Sequence, residues 1–380
     1  MAPIPFVLGS SPEHYSSLGI SPTTIEVRED GLRTTPERRG CWEWWYFDAH
    51  LSNGAKLVVV FYTKDLAKPN TGLNPRITIQ LDTPDGRSWD VQHVFSPHEF
   101  TASKARCDVR LSAGEGKEPY IFRCNDHLKT VEIFAIVEGV EVRVHLTSTT
   151  EPWRPQTGYL LYGKEESDYF AWLPSVPHGK VTATYRVPDE EPVTADGHGY
   201  HDHNWGNVSL TKVINHWYWG RGAVGPYTFI TASIDAERAY GDKKLNLFML
   251  ARNGSIVADD STKVHFSASK VALDAATKRP IADLVCFEYR DGDVRYVLDY
   301  QRQKTILRKD LIDTISGIWK FLARLVGFDG RYLRFSGTVN FKKYEKEEVV
   351  EEYGSEALWD LMWFGKVFEQ VSQLPVSKDN

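Results

Sequence analysis

The chain has 380 residues, a formal net charge of −6, 42% apolar and 25% charged residues. So large an apolar share excludes a disordered chain. Mild acidity without a basic stripe excludes nucleic acid as the main partner, and no run of 18 apolar residues is present to cross a bilayer as a helix. Aromatic residues reach 13%, with 12 tryptophans, an excess that favours recognition of something flat or apolar. Cys41, Cys107, Cys124 and Cys286 lack CxxC spacing, which fits a reducing compartment. The start, MAPIPFVLGSSPEH, has neither the basic opening nor the long apolar core of a secretory signal. A soluble, cytoplasmic chain is expected.

In chain order, residues 1–40 read as an irregular wrap with five prolines. An aromatic strand follows at 41–51 and turns at Asn53-Gly54 into a strand at Lys56–Thr63,. Arg76–Leu81 alternates and is turned back by Pro84-Asp85-Gly86,. Strands are expected at 107–111, 119–124, 131–137 and 140–148, the last two joined at Glu138-Gly139. Residues 149–180, rich in Pro, Trp and Tyr, read as a lid or a cavity rim. Val181–Val187 is a strand, and Pro188–Pro192 marks a domain boundary,. The second half repeats the pattern at Pro226–Ile234, Leu245–Ala251, Thr262–Ser267, Leu284–Arg290, Arg295–Tyr300 and Arg331–Tyr344. Leu311, Ile315, Ile318, Trp319, Leu322, Leu325 and Val326 fall at helical spacing and predict an amphipathic helix over 309–326, packed on a barrel or lying on a membrane surface,. A second helix is expected over 355–370, capped by Ser355,. Closely spaced strands with turn signals predict an all-β protein. Its two domains are expected at 1–190 and 191–380.

The densest chemistry lies in Asp196–Pro226, DGHGYHDHNWGNVSLTKVINHWYWGRGAVGP. It holds His198, His201, His203 and His216, with Asp202, Asn204, Trp205, Trp217, Trp219 and Arg221. Indole walls with polar groups between them suit a pocket for a flat, apolar ligand. Histidines two apart share one face of a strand while Asp202 points the other way. No HExxH and no nearby Cys pair completes a ligand set, so no metal is expected. The rival reading is structural, with the histidines bonded to backbone or carboxylates. A second stretch, CWEWWYFDAHL at 41–51, puts Glu43, Trp45 and Phe47 on one face and Trp42, Trp44, Tyr46 and Asp48 on the other,. A buried Glu43 is either a proton donor or the partner of Arg38, Arg39 or Arg221.

The order WEWWYFDAHL, then GYHDHNWG, then HWYWGRGAVGPY resembles the lipocalin-like group of carotenoid 1,2-hydratase, kievitone hydratase and the fungal decalin-forming Diels–Alderases. The resemblance runs from about Trp42 to Phe364 and is strongest to the Diels–Alderase branch. It implies two tandem β domains, a sandwich and then a barrel, with a cavity at their interface. It also implies a cofactor-free pericyclase that folds a linear polyene, a tetramic-acid polyketide, into a decalin. The catalytic candidates it carries over are Glu43, Asp48, His201, Asp202, Asn204 and a late lysine, Lys342, Lys343 or Lys346, with Lys343 as the choice. The substrate-binding candidates are Trp45, Trp205, Trp217, Trp219, Arg221 and Tyr227. The expected partner is the polyene itself; neither nucleic acid nor membrane insertion is expected, and a monomer is favoured. The alternatives are a hydratase or isomerase acting by acid–base catalysis on a double bond, and a non-catalytic lipophile carrier.

Overall fold

A computed structural model describes residues 5–64, 69–125, 127–310, 330–365 and 374–377. The described chain is all-β. Two compact units divide it, one of residues 7–209 and one built mainly from residue 210 onward. The first contains, in order, β1 (Phe6–Leu8), α1 (Pro12–Leu18), β2 (Trp42–Leu51), β3 (Lys56–Tyr62), β4 (Arg76–Asp82), β5 (Ser88–Val94), β6 (Phe100–Ala102), β7 (Asp108–Leu111), β8 (Tyr120–Asn125), β9 (Thr130–Val137), β10 (Val140–Ser148), β11 (Tyr159–Tyr162), β12 (Asp168–Arg186) and β13 (Val193–Gly206). The second contains α2 (Leu210–Val213), β14 (Ile214–Val224), β15 (Tyr227–Ala236), β16 (Lys244–Arg252), β17 (Ser255–Ala258), β18 (Val264–Leu273), β19 (Pro280–Asp291), β20 (Val294–Asp310), β21 (Arg331–Glu345) and β22 (Glu348–Trp363). No described helix is long and apolar enough to cross a membrane.

In the first unit the strands form one curled sheet in the order β5-β4-β3-β2-β13-β12-β10-β9-β8-β7-β6, with β11 added onto β12. Alternation turns Trp45, Phe47, Leu57, Val59, Phe61, Ile77, Ile79, Val109, Phe122, Val131 and Val142 into a single core,. The N-terminal wrap is held to this sheet by a buried ion pair between Arg154 and Glu29, whose side chains are 4% and 5% exposed. Trp45 Nε1 adds a hydrogen bond of 3.0 Å to the Asp30 carbonyl.

Residues 149–180 are largely sheet. The long strand β12 carries Pro174 and Pro177, which cannot donate to a ladder. Its register with β13 slips between Leu173 and Val176 and again between Val176 and Gly179, so each proline sits in an irregularity that needs no donor. Because β13 pairs with both β12 and β2, residues 193–206 belong to the first unit. The division therefore falls between Ser209 and Leu210, beyond the Pro188–Pro192 segment.

The second unit is a nine-stranded sheet in the order β17-β16-β15-β14-β22-β21-β20-β19-β18. Its ends approach one another where Asn246 Nδ2 donates to the Val264 carbonyl at 3.5 Å. The interior is filled by Tyr218, Phe229, Phe248, Phe287, Tyr300, Phe335, Phe341, Trp359 and Trp363.

The helix expected over 355–370 is corrected: residues 355–363 are strand β22. Leu358 and Met362 do recur at helical spacing, but Ala357, Trp359, Leu361 and Trp363 recur at period two and are the buried set. Pairing on both sides, to β21 and β14, overrides local propensity. In the region of the other expected helix, Lys309 and Asp310 end strand β20, and 311–329 lie outside the described residues.

Candidate functional site

The two motif stretches are neighbours. β2 and β13 pair antiparallel with Asp202 opposite Tyr46, His203 opposite Trp45 and Asn204 opposite Trp44. Alternation then divides the motif residues between two faces of one sheet.

The inner face carries Glu43, Trp45, Phe47, His201, His203 and Trp205. Glu43 is fully buried and all its bonds are internal. Oε1 accepts from Arg33 N–H at 2.7 Å and lies 2.8 Å from His203 Nε2. Oε2 accepts from the Thr34 amide at 2.9 Å and the Thr34 hydroxyl at 2.8 Å. The partner of Glu43 is thus a histidine and a turn, in place of the expected arginine. His203 lies between two indoles, with centroids 4.7 Å from Trp45 and 4.7 Å from Trp205. His201 sits with Nδ1 2.9 Å from the Tyr46 carbonyl and Nε2 3.1 Å from Asp30 Oδ2. Burial pushes the His201 imidazole down, but the Asp30 charge and hydrogen bond and the Tyr46 carbonyl outweigh it and leave it raised. Ser175 Oγ donates to Asp30 Oδ2 at 3.1 Å.

The outer face carries Trp42, Trp44, Tyr46 and Asp48 on β2 and Tyr200, Asp202 and Asn204 on β13. Three donors converge on Asp202: Trp172 Nε1 at 2.8 Å and the Tyr200 hydroxyl at 2.7 Å on Oδ2, and Asn204 Nδ2 at 2.7 Å on Oδ1. Burial pushes the Asp202 carboxyl up to about 6 against those bonds. Burial, followed by the neighbouring Asp202 charge, holds the Tyr200 phenol well above its ordinary value. Tyr46 donates to Asp48 Oδ2 at 2.9 Å. Trp42 and Trp44 stack at 4.8 Å with ring planes 17° apart. The Trp42 ring lies over Gly206, where a Cβ would come within 2.5 Å of Cζ2; only glycine fits under that indole.

The remaining candidates lie in the second unit. Trp217, Trp219 and Arg221 alternate along β14 and are half-buried, on the face opposite the interior residue Tyr218. Trp217 meets Phe364 edge-on at 4.7 Å. Tyr227 is an interior residue whose hydroxyl donates to Glu351 Oε1 at 2.9 Å. Lys343 Nζ donates to Glu345 Oε1 at 2.6 Å and lies 3.8 Å from Glu351, so Tyr227 and Lys343 meet around one carboxylate. The Glu345 hydrogen bond, ahead of opposing desolvation, raises the Lys343 ammonium. Lys342 is ion-paired to Glu352 at 3.2 Å.

Sequence reasoning missed Asp30, Trp172 and Tyr200. Asp30 and His201 are 171 positions apart, and no local pattern joins them. Tyr200, two residues before Asp202, was accessible through strand alternation.

Comparison with known proteins finds the family described as Diels-Alderase-like over residues 33–310. A Diels-Alderase of Gibberella fujikuroi is 22% identical over 279 residues, 70% of this chain and 73% of that protein. The quinolone epoxide rearrangement protein asqO of Emericella nidulans is 27% identical over 198 residues, 50% of this chain; the match spans about half (52%) of that relative. Among solved structures, CghA with Sch210972 superposes with a TM-score of 0.59 at 14% identity, covering 91% of this chain and 98% of that one.

Proposed function

The chain belongs to the Diels-Alderase-like family, and we propose on that footing that it is a cyclase that closes a ring by an intramolecular Diels–Alder reaction. Its substrate is a linear polyene bearing a polar, conjugated carbonyl head, a tetramic-acid polyketide, and its product is a decalin. The observation that carries this reading is the outer face of β2 and β13. There a hydrogen-bonded node of Asp202, Asn204, Tyr200 and Trp172 is set beside the Trp42–Trp44 stack and the Tyr46–Asp48 pair.

A pericyclic step has no nucleophile and no leaving group. A polyene has many rotatable bonds and few reactive conformers, so holding one near-attack shape supplies several of the roughly 7–11 kcal/mol available from proximity. Charge shifts onto the carbonyl conjugated with the dienophile in the transition state, and a fixed donor there lowers the barrier further. In this proposal the aromatic side chains shape the tail, and Asn204, Asp202 and Asp48 orient the head. In the second unit, Trp217, Trp219 and Arg221 are the candidate substrate contacts, and Lys343 is the candidate activating donor. Glu43, His201 and Trp45, fully buried with internal partners, serve as anchors of the strand that presents Asp202 and Asn204.

A second reading is acid–base chemistry on a hydrophobic substrate, with Asp202 as the acid. The relative named for epoxide rearrangement and the same carboxyl node favour it. The carrier reading, based on lipocalin-like barrels, loses support because the barrel interior of the second unit is filled by aromatic side chains. The test is turnover of a linear polyene tetramic acid by the purified chain in 18O-labelled water. A cyclase gives one decalin stereoisomer, faster than the background reaction and free of label. Label in the product, or no acceleration of ring closure, overturns the proposal.

A further inference from the structure

We propose that the first unit holds a structural transition-metal ion of the zinc class, ligated by Asp30, Cys107, His201 and His203. Asp30 ends a 3-10 turn at Val27–Asp30, Cys107 leads into β7, and the two histidines sit on β13. Ligand atoms of Asp30, Cys107 and His201 lie within 4.8 Å of one another. His203 Nδ1 is 3.7 Å from Asp30 Oδ1. All four residues are fully buried. At zinc bond lengths of about 2.0–2.3 Å, two ligands of a tetrahedral ion sit roughly 3.3–3.8 Å apart, so modest side-chain shifts close Asp30, Cys107 and His201 around one ion. His203 lies outside that trio, near Asp30 alone, and joins as the fourth ligand by a larger shift.

The hydrogen bonds argue for a cation there. His201 Nδ1 faces the Tyr46 carbonyl at 2.9 Å, so Nδ1 carries a hydrogen and, in a neutral ring, Nε2 presents a lone pair to Asp30. His203 Nε2 faces Glu43 at 2.8 Å, so its Nδ1 likewise presents a lone pair toward Asp30. With both rings neutral, lone pairs face the Asp30 carboxylate, and His203 Nδ1 and Asp30 Oδ1 lack a hydrogen-bond partner. A buried acceptor without a donor is costly. The outward bonds of the two rings, one to a backbone carbonyl and one to a carboxylate, are those that orient metal-bound imidazoles. One thiolate, two imidazoles and a carboxylate suit zinc over magnesium or calcium. With the dipositive ion in place, Cys107 gives up its thiol proton to solvent, and the thiolate and the Asp30 carboxylate leave the centre neutral. Four protein ligands leave no open position for a substrate, so the ion holds the N-terminal wrap to the sheet and takes no part in ring closure. The rival occupant is a proton on each imidazole.

Elemental analysis of the full chain after gel filtration is expected to find one zinc-class metal per chain. Replacing it with cobalt(II) is expected to give visible d–d bands of tetrahedral intensity and a thiolate-to-cobalt charge-transfer band in the near ultraviolet, the latter lost in Cys107→Ser. Substoichiometric metal with no uptake of cobalt overturns the proposal in favour of protonated imidazoles. A charge-transfer band that survives Cys107→Ser overturns this ligand set. If Cys107→Ser is insoluble, the wild-type band decides: its absence overturns thiolate ligation and its presence supports it. None of these readouts depends on cyclase activity, so failure here and failure of the proposed function are separable.

Discussion

Replacing Glu43 with glutamine changes one oxygen into an NH2 group and removes a charge, with almost no change of volume. Two donors converge on each Glu43 oxygen: Arg33 N–H and His203 on one, and the Thr34 amide and hydroxyl on the other. Whichever way the glutamine amide turns, its NH2 faces donors. Two hydrogen bonds to a charged acceptor are lost, and their donors stay buried. At about 1–3 kcal/mol for each unsatisfied group, Glu43→Gln is expected to lower the stability of the first unit by about 2–6 kcal/mol. That is a large part of the 5–15 kcal/mol typical of a domain. Urea unfolding followed by tryptophan fluorescence reads the change as a lower midpoint of the first transition; two units can unfold separately, so that transition is fitted by itself. In the folded fraction the product stereoisomer is expected to be unchanged. An unaltered midpoint with turnover abolished would show Glu43 acting chemically, and the anchor argument would fail.

Other outcomes follow from the same geometry. Trp217→Ala and Trp219→Ala remove half-buried indoles from β14 and are expected to slow ring closure about tenfold, near 1.4 kcal/mol, and to shift the isomer ratio toward the uncatalysed mixture, read by chiral chromatography. Asp202→Asn keeps the size of the side chain; a cyclase is expected to lose on the order of tenfold in rate and keep its stereoisomer, whereas a hydratase would stop altogether. Burial, with the His198 charge as a lesser cause at His178, holds the imidazoles of His178 and His216 down at about 4, below the ordinary 6.5. The folded state therefore favours the neutral rings, and the unfolded state binds more protons between about pH 4 and 6.5. Stability rises with pH across that window and is lost as pH falls through it. Because both rings are partly exposed, each contributes about 2 kcal/mol; thermal melts of His178→Gln and His216→Gln are expected to show a shallower loss below pH 6.5 than the parent.

The β architecture was legible in the sequence because hairpin turns and period-two runs are local signals. Asn53-Gly54, Asn253-Gly254 and Asp291-Gly292 all lie at strand reversals. The division of Glu43, Trp45 and Phe47 from Trp42, Trp44, Tyr46 and Asp48 followed from alternation, and the pairing of β2 with β13 gives it meaning. What could not be read was decided by distant partners. Ser355–Trp363 supports either a helical or a strand period, and β14 and β21 decide it. Pro174 and Pro177 looked like loop residues, yet a strand accommodates them at irregularities. The histidine run by itself offers no complete ligand set. The carboxylate and thiol that converge on His201 come from Asp30 and Cys107, at separations no spacing rule covers.

The place of β22 also bears on how the chain is made. It is the last strand of the second sheet in sequence, yet it lies in the middle, between β14, the first strand of that unit, and β21. During synthesis, β14 emerges early and keeps an unpaired edge until residues 348–363 leave the ribosome. Closing so long a loop before any reward makes the second unit slow to complete, and its waiting edge is a site for misassociation. A nascent chain stopped after residue 345 would expose backbone donors and acceptors on both β14 and β21, whereas the first unit has every strand of its sheet by residue 206.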